Sequence, residues 1–265
     1  MSDPDRAWRD STALYNAFAA DYDAAFAAPG HRRAYDRLAW ERVAALLPPT
    51  PGLIVDAGCG TGRWIAPLLA LGHRVIGIEQ APDMVRALRA KAHGPGFTLI
   101  EADMASAEVA AASADLVVAI GSVQYTRDPA AMIRRFAGWA KPGGAVCVMV
   151  DSLVALVLEL VRLGKPAEAV ERLRSGRGVF SFGDEQADLF LYDSRTLQAQ
   201  FADAGLTGVE CRGLLVSSSA WGSAGCSQAM AADEAAFLEL ERALSGVAVT
   251  ADAGKHLFAS GRRPV

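Results

Sequence analysis

The 265-residue sequence is poor in cysteine, histidine and positive charge, and it holds no long uninterrupted apolar run. Its four cysteines, Cys59, Cys147, Cys211 and Cys226, form no C-x-x-C pair. That spacing gives a zinc site no support, so no metal is expected. Isolated thiols of this kind read as small hydrophobes in a reducing compartment. The most apolar helical stretch, 153–163, contains Glu159 and Arg162 and is too short to span a bilayer. The opening MSDPDRAWRD lacks the basic and apolar regions of a secretory signal. A cytoplasmic location without a membrane partner is therefore expected. The formal net charge is -4. Proteins that live on nucleic acid usually carry a basic face that replaces phosphate counterions, so no nucleic-acid partner is expected either.

What the chain has is apolar material in a regular order. Hydrophobic residues make up 52% of it and charged residues 21%, enough for one large domain or a domain with an added subdomain. Residues 11–28 read as helical segments, and 32–47 as an amphipathic helix stopped by Pro48, Pro49, Pro51 and Gly52. Strands at 53–57, 74–79, 97–101, 116–120 and 145–150 then alternate with helices at 63–71, 81–92 and 129–140. After Asp151 the rhythm breaks. Helices are expected at 152–163 and 166–174, and a strand pair at 178–182 and 188–192. A helix at 194–204, a strand at 208–216, a Ser/Gly-rich loop at 217–227, a helix at 231–244 and a strand at 256–260 complete the chain. The expected fold is α/β: a doubly wound, mostly parallel seven-stranded sheet with helices on both faces. Residues 1–31 would form an N-terminal helical lid and 32–151 the core. Residues 152–192 would be an α+β insertion over the substrate, and 193–265 the rest of the sheet.

The segment Val55-Asp56-Ala57-Gly58-Cys59-Gly60-Thr61-Gly62 joins the first strand to the first helix. Glycines there allow a sharp turn and let a ligand lie against the main chain, beside the positive end of a helix. A nicotinamide nucleotide needs G-x-G-x-x-G, and Arg63 stands where its third glycine would be. The glycine comes one residue early, at Gly62, which argues against that cofactor.

D-A-G-C-G-T-G in this place resembles the first motif of the class I S-adenosylmethionine-dependent methyltransferases. The resemblance covers roughly residues 35–150 and includes Lys141-Pro142-Gly143-Gly144, close to the family's L-K-P-G-G turn with Ala140 in place of Leu. It implies S-adenosyl-L-methionine as cofactor. Asp56, Ala57, Gly58 and Gly60 would line its methionine part. Glu79, ending the second strand, would accept from both ribose hydroxyls, a task suited to a carboxylate. Gln80 and Met84 would flank the nucleoside. Asp103 would accept from the adenine amino group while the Met104 backbone meets the ring. The backbone of Ile120 and Gly121 would face the ammonium group. In similar proteins the N-terminal segment folds over the cofactor, and Tyr22 is its best candidate contact.

Methyl transfer from a sulfonium asks mainly for alignment and a dry site, with a base only when the acceptor must lose a proton. Catalytic candidates are Gln124, Tyr125 and His31. Gln124 either orients an acceptor or stabilises its loop. Tyr125 either stacks on substrate or packs against the helix at 129–140. Many family members have a His pair at this place; here the sequence reads Gly121-Ser122-Val123-Gln124-Tyr125. His31 sits where the lid meets the next helix and suits base work, or it is a solvated helix start. His73 and His93 read as surface residues. His256, opening the last strand, is expected away from the carboxyl-end face. Asp151 either contacts substrate or caps the next helix. Leu153, Val154, Leu156, Val157, Leu160, Phe180, Phe182, Phe190 and Tyr192 form either a roof over the acceptor or a private core of the insertion.

The function expected is methylation of an O, N or C atom of a small molecule, of the kind made in specialised metabolism, by a monomer or homodimer. Alternatives are a protein or RNA methyltransferase, or a non-catalytic cofactor-binding regulator. The N/D-P-P-Y/F motif of base-modifying relatives is replaced by G-S-V-Q-Y.

Overall fold

The computed structural model describes residues 7–91 and 93–265. The polar opening at 1–6, the start of the expected lid and the end of the expected helix at Ala92 lie outside the described residues.

Two helices come first, α1 (Thr12–Ala27) and α2 (His31–Ala44). The alternating stretch follows: β1 (Leu53–Ala57), α3 (Ile65–Ala70), β2 (Arg74–Glu79), α4 (Pro82–Arg89), β3 (Phe97–Glu101), β4 (Ala114–Ile120), α5 (Pro129–Trp139) and β5 (Ala140–Asp151). Then come α6 (Leu153–Arg162), α7 (Pro166–Ser175) and the hairpin β6 (Arg177–Phe182) and β7 (Glu185–Phe190). The chain closes with α8 (Ser194–Asp203), β8 (Thr207–Leu214), α9 (Ser218–Ala232), α10 (Glu234–Gly246) and β9 (His256–Arg262).

The main sheet has seven strands in the order β3-β2-β1-β4-β5-β9-β8. The strands β3, β2, β1, β4 and β5 run parallel, and β9 runs antiparallel to both β5 and β8. Two apolar clusters sandwich the sheet. One packs Ile133, Phe136, Leu197 and Phe201 from α5 and α8. The other packs Leu38, Val43, Ile65, Leu88, Phe237 and Leu238 from α2, α3, α4 and α10. Each such side chain contributes about 1.5–3 kcal/mol on burial, which commits every helix to its face. The order in which successive strands are added reverses between the parallel neighbours β1 and β4, and the carboxyl ends of those strands open a crevice there.

Three expectations need correction. Of residues 217–227, expected to form a loop, 218–227 belong to α9 and Ser217 flanks its start. The helix bends at Gly222, at φ 68, and its small residues fit between α2, α6 and α10. The Lys141–Gly144 turn lies inside β5, as a break in its register with β4. His73 is buried rather than on the surface, because its Nδ1 accepts the Gly52 N–H at 3.1 Å. Among the described residues no helix is long and apolar enough to cross a membrane.

Candidate functional site

The loop after β1 is held from below. The N–H groups of Gly58 and Cys59 both donate to the Ile78 carbonyl, at 2.8 and 3.0 Å. Gly58, Gly60 and Gly62 all take positive φ. A Cβ on Gly58 would stand 2.4 Å from that of Ser122, whose hydroxyl donates to the Ala57 carbonyl at 2.7 Å. One on Gly62 would stand 2.3 Å from Leu88 Cδ1, so the early glycine lets the loop dock on α4.

Glu79 reaches back over this loop from the end of β2. Its Oε2 accepts the Gly60 N–H at 2.9 Å, and its Oε1 accepts those of Gln80 and Ala81 at 2.9 and 2.8 Å. Burial pushes its carboxyl up, and the three backbone donors oppose that shift. Of the roughly four acceptor sites on a carboxylate these three bonds leave one, on Oε2, for a further donor.

Gly58, Gly60, Glu79, Gln80, Asp103 and Met104 line one cavity of about 260 Å³. Asp103 Oδ1 accepts the Ala105 N–H at 2.8 Å, and Oδ2 has no such bond among the described residues. A second cavity, of about 290 Å³, holds Gln124, His31, Asp151 and His256. Tyr15, Tyr22, Ile120, Gly121 and Tyr125 line both, so the two cavities meet at the carboxyl end of β4.

Three of the expected site residues fall elsewhere. Met84 is fully buried and lines neither cavity, because it shares the inward face of α4 with Val85 and Leu88. Asp56 and Ala57 are likewise buried beneath the loop and line neither cavity. Burial raises the Asp56 carboxyl from 3.8 to about 7; the Glu79 charge adds to this and Arg63 opposes it. A carboxyl raised on folding keeps its proton while the unfolded chain loses it. Stability should therefore fall as pH rises from about 4 through about 7, by at most ~1.4 kcal/mol per unit. Urea unfolding from pH 5 to 8 should show this slope, and Asp56→Asn should flatten it. An unchanged slope would remove Asp56 as its source.

The second cavity joins parts distant in sequence. Tyr15 and Tyr22 enter from α1, which is tied to the glycine loop by Thr61 Oγ1 donating to Asp23 at 2.6 Å and to α4 by the Asp83 N–H donating to Asn16 at 2.9 Å. Phe180, Leu189 and Leu156 enter from the segment after β5. They do not form a private core, because their cluster includes Leu14 of α1 and Tyr125. Phe190 lies 5.2 Å from Trp8, and Tyr192 joins the main core.

Burial raises the phenols of Tyr125, Tyr15 and Tyr22, so they stay protonated. Tyr125 packs edge-on against Tyr15 at 5.6 Å. His31 is pushed down to about 4, by burial first and then by Lys255, Arg32 and His256. Its Nδ1 lies 3.2 Å from Ser227 Oγ. Gln124 is buried and donates from Nε2 to Asp151 Oδ2 at 3.1 Å. Asp151 does not cap α6; Ser152 does, accepting the Ala155 N–H.

His256 is the residue that sequence reasoning misplaced. Because β9 runs antiparallel, its first residue lies at the carboxyl ends of the parallel strands, opposite Asp151. The signal was present, since a mostly parallel seven-stranded sheet with one reversed strand brings the start of that strand to this edge.

The strand order, the glycine loop and the acid beside it define a class I, Rossmann-like S-adenosylmethionine-dependent methyltransferase fold. Residues 54–144, from β1 to the turn within β5, match the family described as "Methyltransferase domain". A ubiquinone biosynthesis O-methyltransferase of Methylobacterium sp. (strain 4-46) is 37% identical over 99 residues, 36% of this chain and 40% of that one. A trans-aconitate 2-methyltransferase of Methylobacterium radiotolerans is 33% identical over 129 residues, 48% of each chain. The match thus spans less than half the length of either relative. The CcbJ methyltransferase from Streptomyces caelestis superposes over 97% of this chain and 100% of its own, with TM-score 0.61 and 19% identity, a likeness of fold.

Proposed function

We propose that the protein transfers a methyl group from S-adenosyl-L-methionine to an O, N or C atom of a small-molecule acceptor, of the kind made in specialised metabolism. The observation that carries this reading is the meeting of two cavities at Ile120 and Gly121, one beside the glycine loop and its carboxylates, the other walled by aromatics. The residues present fit the cofactor. Only a glycine fits at position 58, Glu79 has an acceptor site left on Oε2 for a ribose hydroxyl, and Asp103 Oδ2 is open to an amino group. Gln80 and Met104 would flank the base. When bound, the sulfonium supplies an activated methyl carbon, and the protein supplies geometry and dryness.

The chain's own residues would do the rest. The α1 helix acts as a lid, with Tyr22 and Tyr15 excluding water where the cavities meet. Residues 152–192 roof the acceptor. Arg32 faces this cavity over Phe18 at 5.2 Å and has no carboxylate partner among the described residues, which suits an acceptor that is polar on one side.

Calorimetry tests the cofactor, and labelled methyl transfer tests the acceptor class. S-adenosylhomocysteine should bind once per chain with micromolar affinity, and a nicotinamide nucleotide should not. Label should enter the small-molecule fraction of a mixed pool of metabolites, protein and RNA. Tight nicotinamide binding, or label confined to protein or RNA, would overturn the reading.

A further inference from the structure

A carboxylate–imidazole pair sits in the second cavity. Asp151 ends β5, His256 opens β9, and the antiparallel register sets them opposite each other. His256 Nδ1 lies 3.3 Å from Asp151 Oδ1, while the other carboxylate oxygen is held by Gln124. Burial pushes the Asp151 carboxyl up, but His256, Lys255 and Gln124 hold it below its ordinary value, so it is an anion. A carboxylate here keeps the imidazole proton on Nδ1 and leaves the lone pair on Nε2. That Nε2 is buried and has no hydrogen-bond partner among the described residues. Gln124 Oε1 is in the same condition. Buried acceptors without donors are costly, and two of them bracketing one carboxylate call for a ligand that brings a donor.

The geometry singles out this ring over the other histidine of the cavity, because only this one faces a carboxylate among the described residues. Tyr35 of α2 covers His256 at 4.7 Å between ring centres. His31 and Arg32 face it from the same helix, and Tyr15 and Tyr125 line the same cavity as protonated phenols. Lys255, its neighbour in the chain, lies 3.7 Å from Glu159 of α6 and 3.1 Å from Ser223 Oγ of α9. Among the described residues His31 has no carboxylate beside it, and it is a weak base, pushed down by burial and the cations around it.

Resting on the methyl-transfer reading, we propose that His256 is the general base of the reaction, with Asp151 as its positioning residue, and that the acceptor is a hydroxyl group rather than a carboxylate. The acceptor O–H bond breaks towards Nε2, and its electron pair stays on oxygen. That oxygen bonds to the methyl carbon as the carbon–sulfur bond opens, leaving the pair on a neutral thioether. The imidazolium formed is balanced by Asp151 and later gives its proton to solvent. A carboxylate acceptor is already ionised near neutral pH and has no use for such a base.

Nitrogen-15 NMR of histidine-labelled protein with S-adenosylhomocysteine present tests the pair, with His256→Asn assigning the signals. His256 should be the Nδ1–H tautomer, and Asp151→Asn should move it towards Nε2–H. In parallel, a panel of simple phenols, alcohols and carboxylic acids is assayed with labelled cofactor. Transfer should go to hydroxyls. His256→Asn should lower kcat about 10²–10⁴-fold, remove the rising limb of kcat against pH, and leave S-adenosylhomocysteine affinity within twofold. An Nε2–H tautomer in the wild type, label on a carboxylic acid, or His256→Asn activity within threefold of wild type would overturn the proposal. The tautomer reads out whether or not a panel member is methylated. Failure of S-adenosylhomocysteine to bind would strike the methyl-transfer reading instead.

Discussion

Replacing Glu79 by alanine should weaken S-adenosylhomocysteine binding by about ten- to a hundredfold. A hydrogen bond from a ribose hydroxyl to a carboxylate contributes about 1.5–3 kcal/mol, and each 1.4 kcal/mol is a factor of ten. The effect does not stop at the ligand. The N–H groups of Gly60, Gln80 and Ala81 all end on this one carboxylate, so the glycine loop loses its fastening as well. Glu79→Ala should therefore also lower the unfolding temperature of the ligand-free protein. Glu79→Gln keeps one good acceptor and should fall between wild type and alanine on both measures. Calorimetry and thermal unfolding read the two effects separately. A change in affinity under threefold for Glu79→Ala would mean that the nucleoside does not sit on this residue.

Gly58→Ala should be nearly as damaging, while Gly60→Ala should be much milder for folding. An alanine at position 58 must adopt φ near +84 and place its Cβ 2.4 Å from that of Ser122. The conformation alone costs an L residue roughly 1–2 kcal/mol, and the overlap forces the loop or β4 to shift. At position 60 the φ is +56 and the nearest atom to a new Cβ is Tyr22 at 3.8 Å, an ordinary contact. The expected result is a fall of several degrees in unfolding temperature and at least a tenfold loss of cofactor affinity for Gly58→Ala. Adding Ser122→Gly removes the overlap but not the backbone cost, so the double variant should recover part of the loss. No recovery at all would show that the Ser122 contact is not what the glycine protects, a question a double-mutant cycle answers directly.

The half of the site beside the glycine loop was legible because its signals are local. The strands β1, β2 and β3 begin and end where their apolar runs begin and end, and each is followed at once by the turn or acid that matters. Met84 was misread because helix position is a matter of which way the face turns. Within α4 it lies on the same side as Val85 and Leu88, and the sheet claims that side. The α9 helix was missed for the opposite reason. Its Ser, Gly and Ala residues carry weak local preference, and neighbouring helices decide the outcome, with Gly222 pressed against Arg162 at the bend. The acceptor half was the least legible. Asp151 and His256 are 105 residues apart, and only the direction of β9 brings them together.

That reversed strand divides labour along the polypeptide. The cavity beside the glycine loop is built wholly from residues 8–132, whereas the other draws half its wall from residues 149–256. Under the proposed function, substitutions in the later stretch, including the short connection into β9, alter the acceptor while residues 8–132 go on holding the methyl donor.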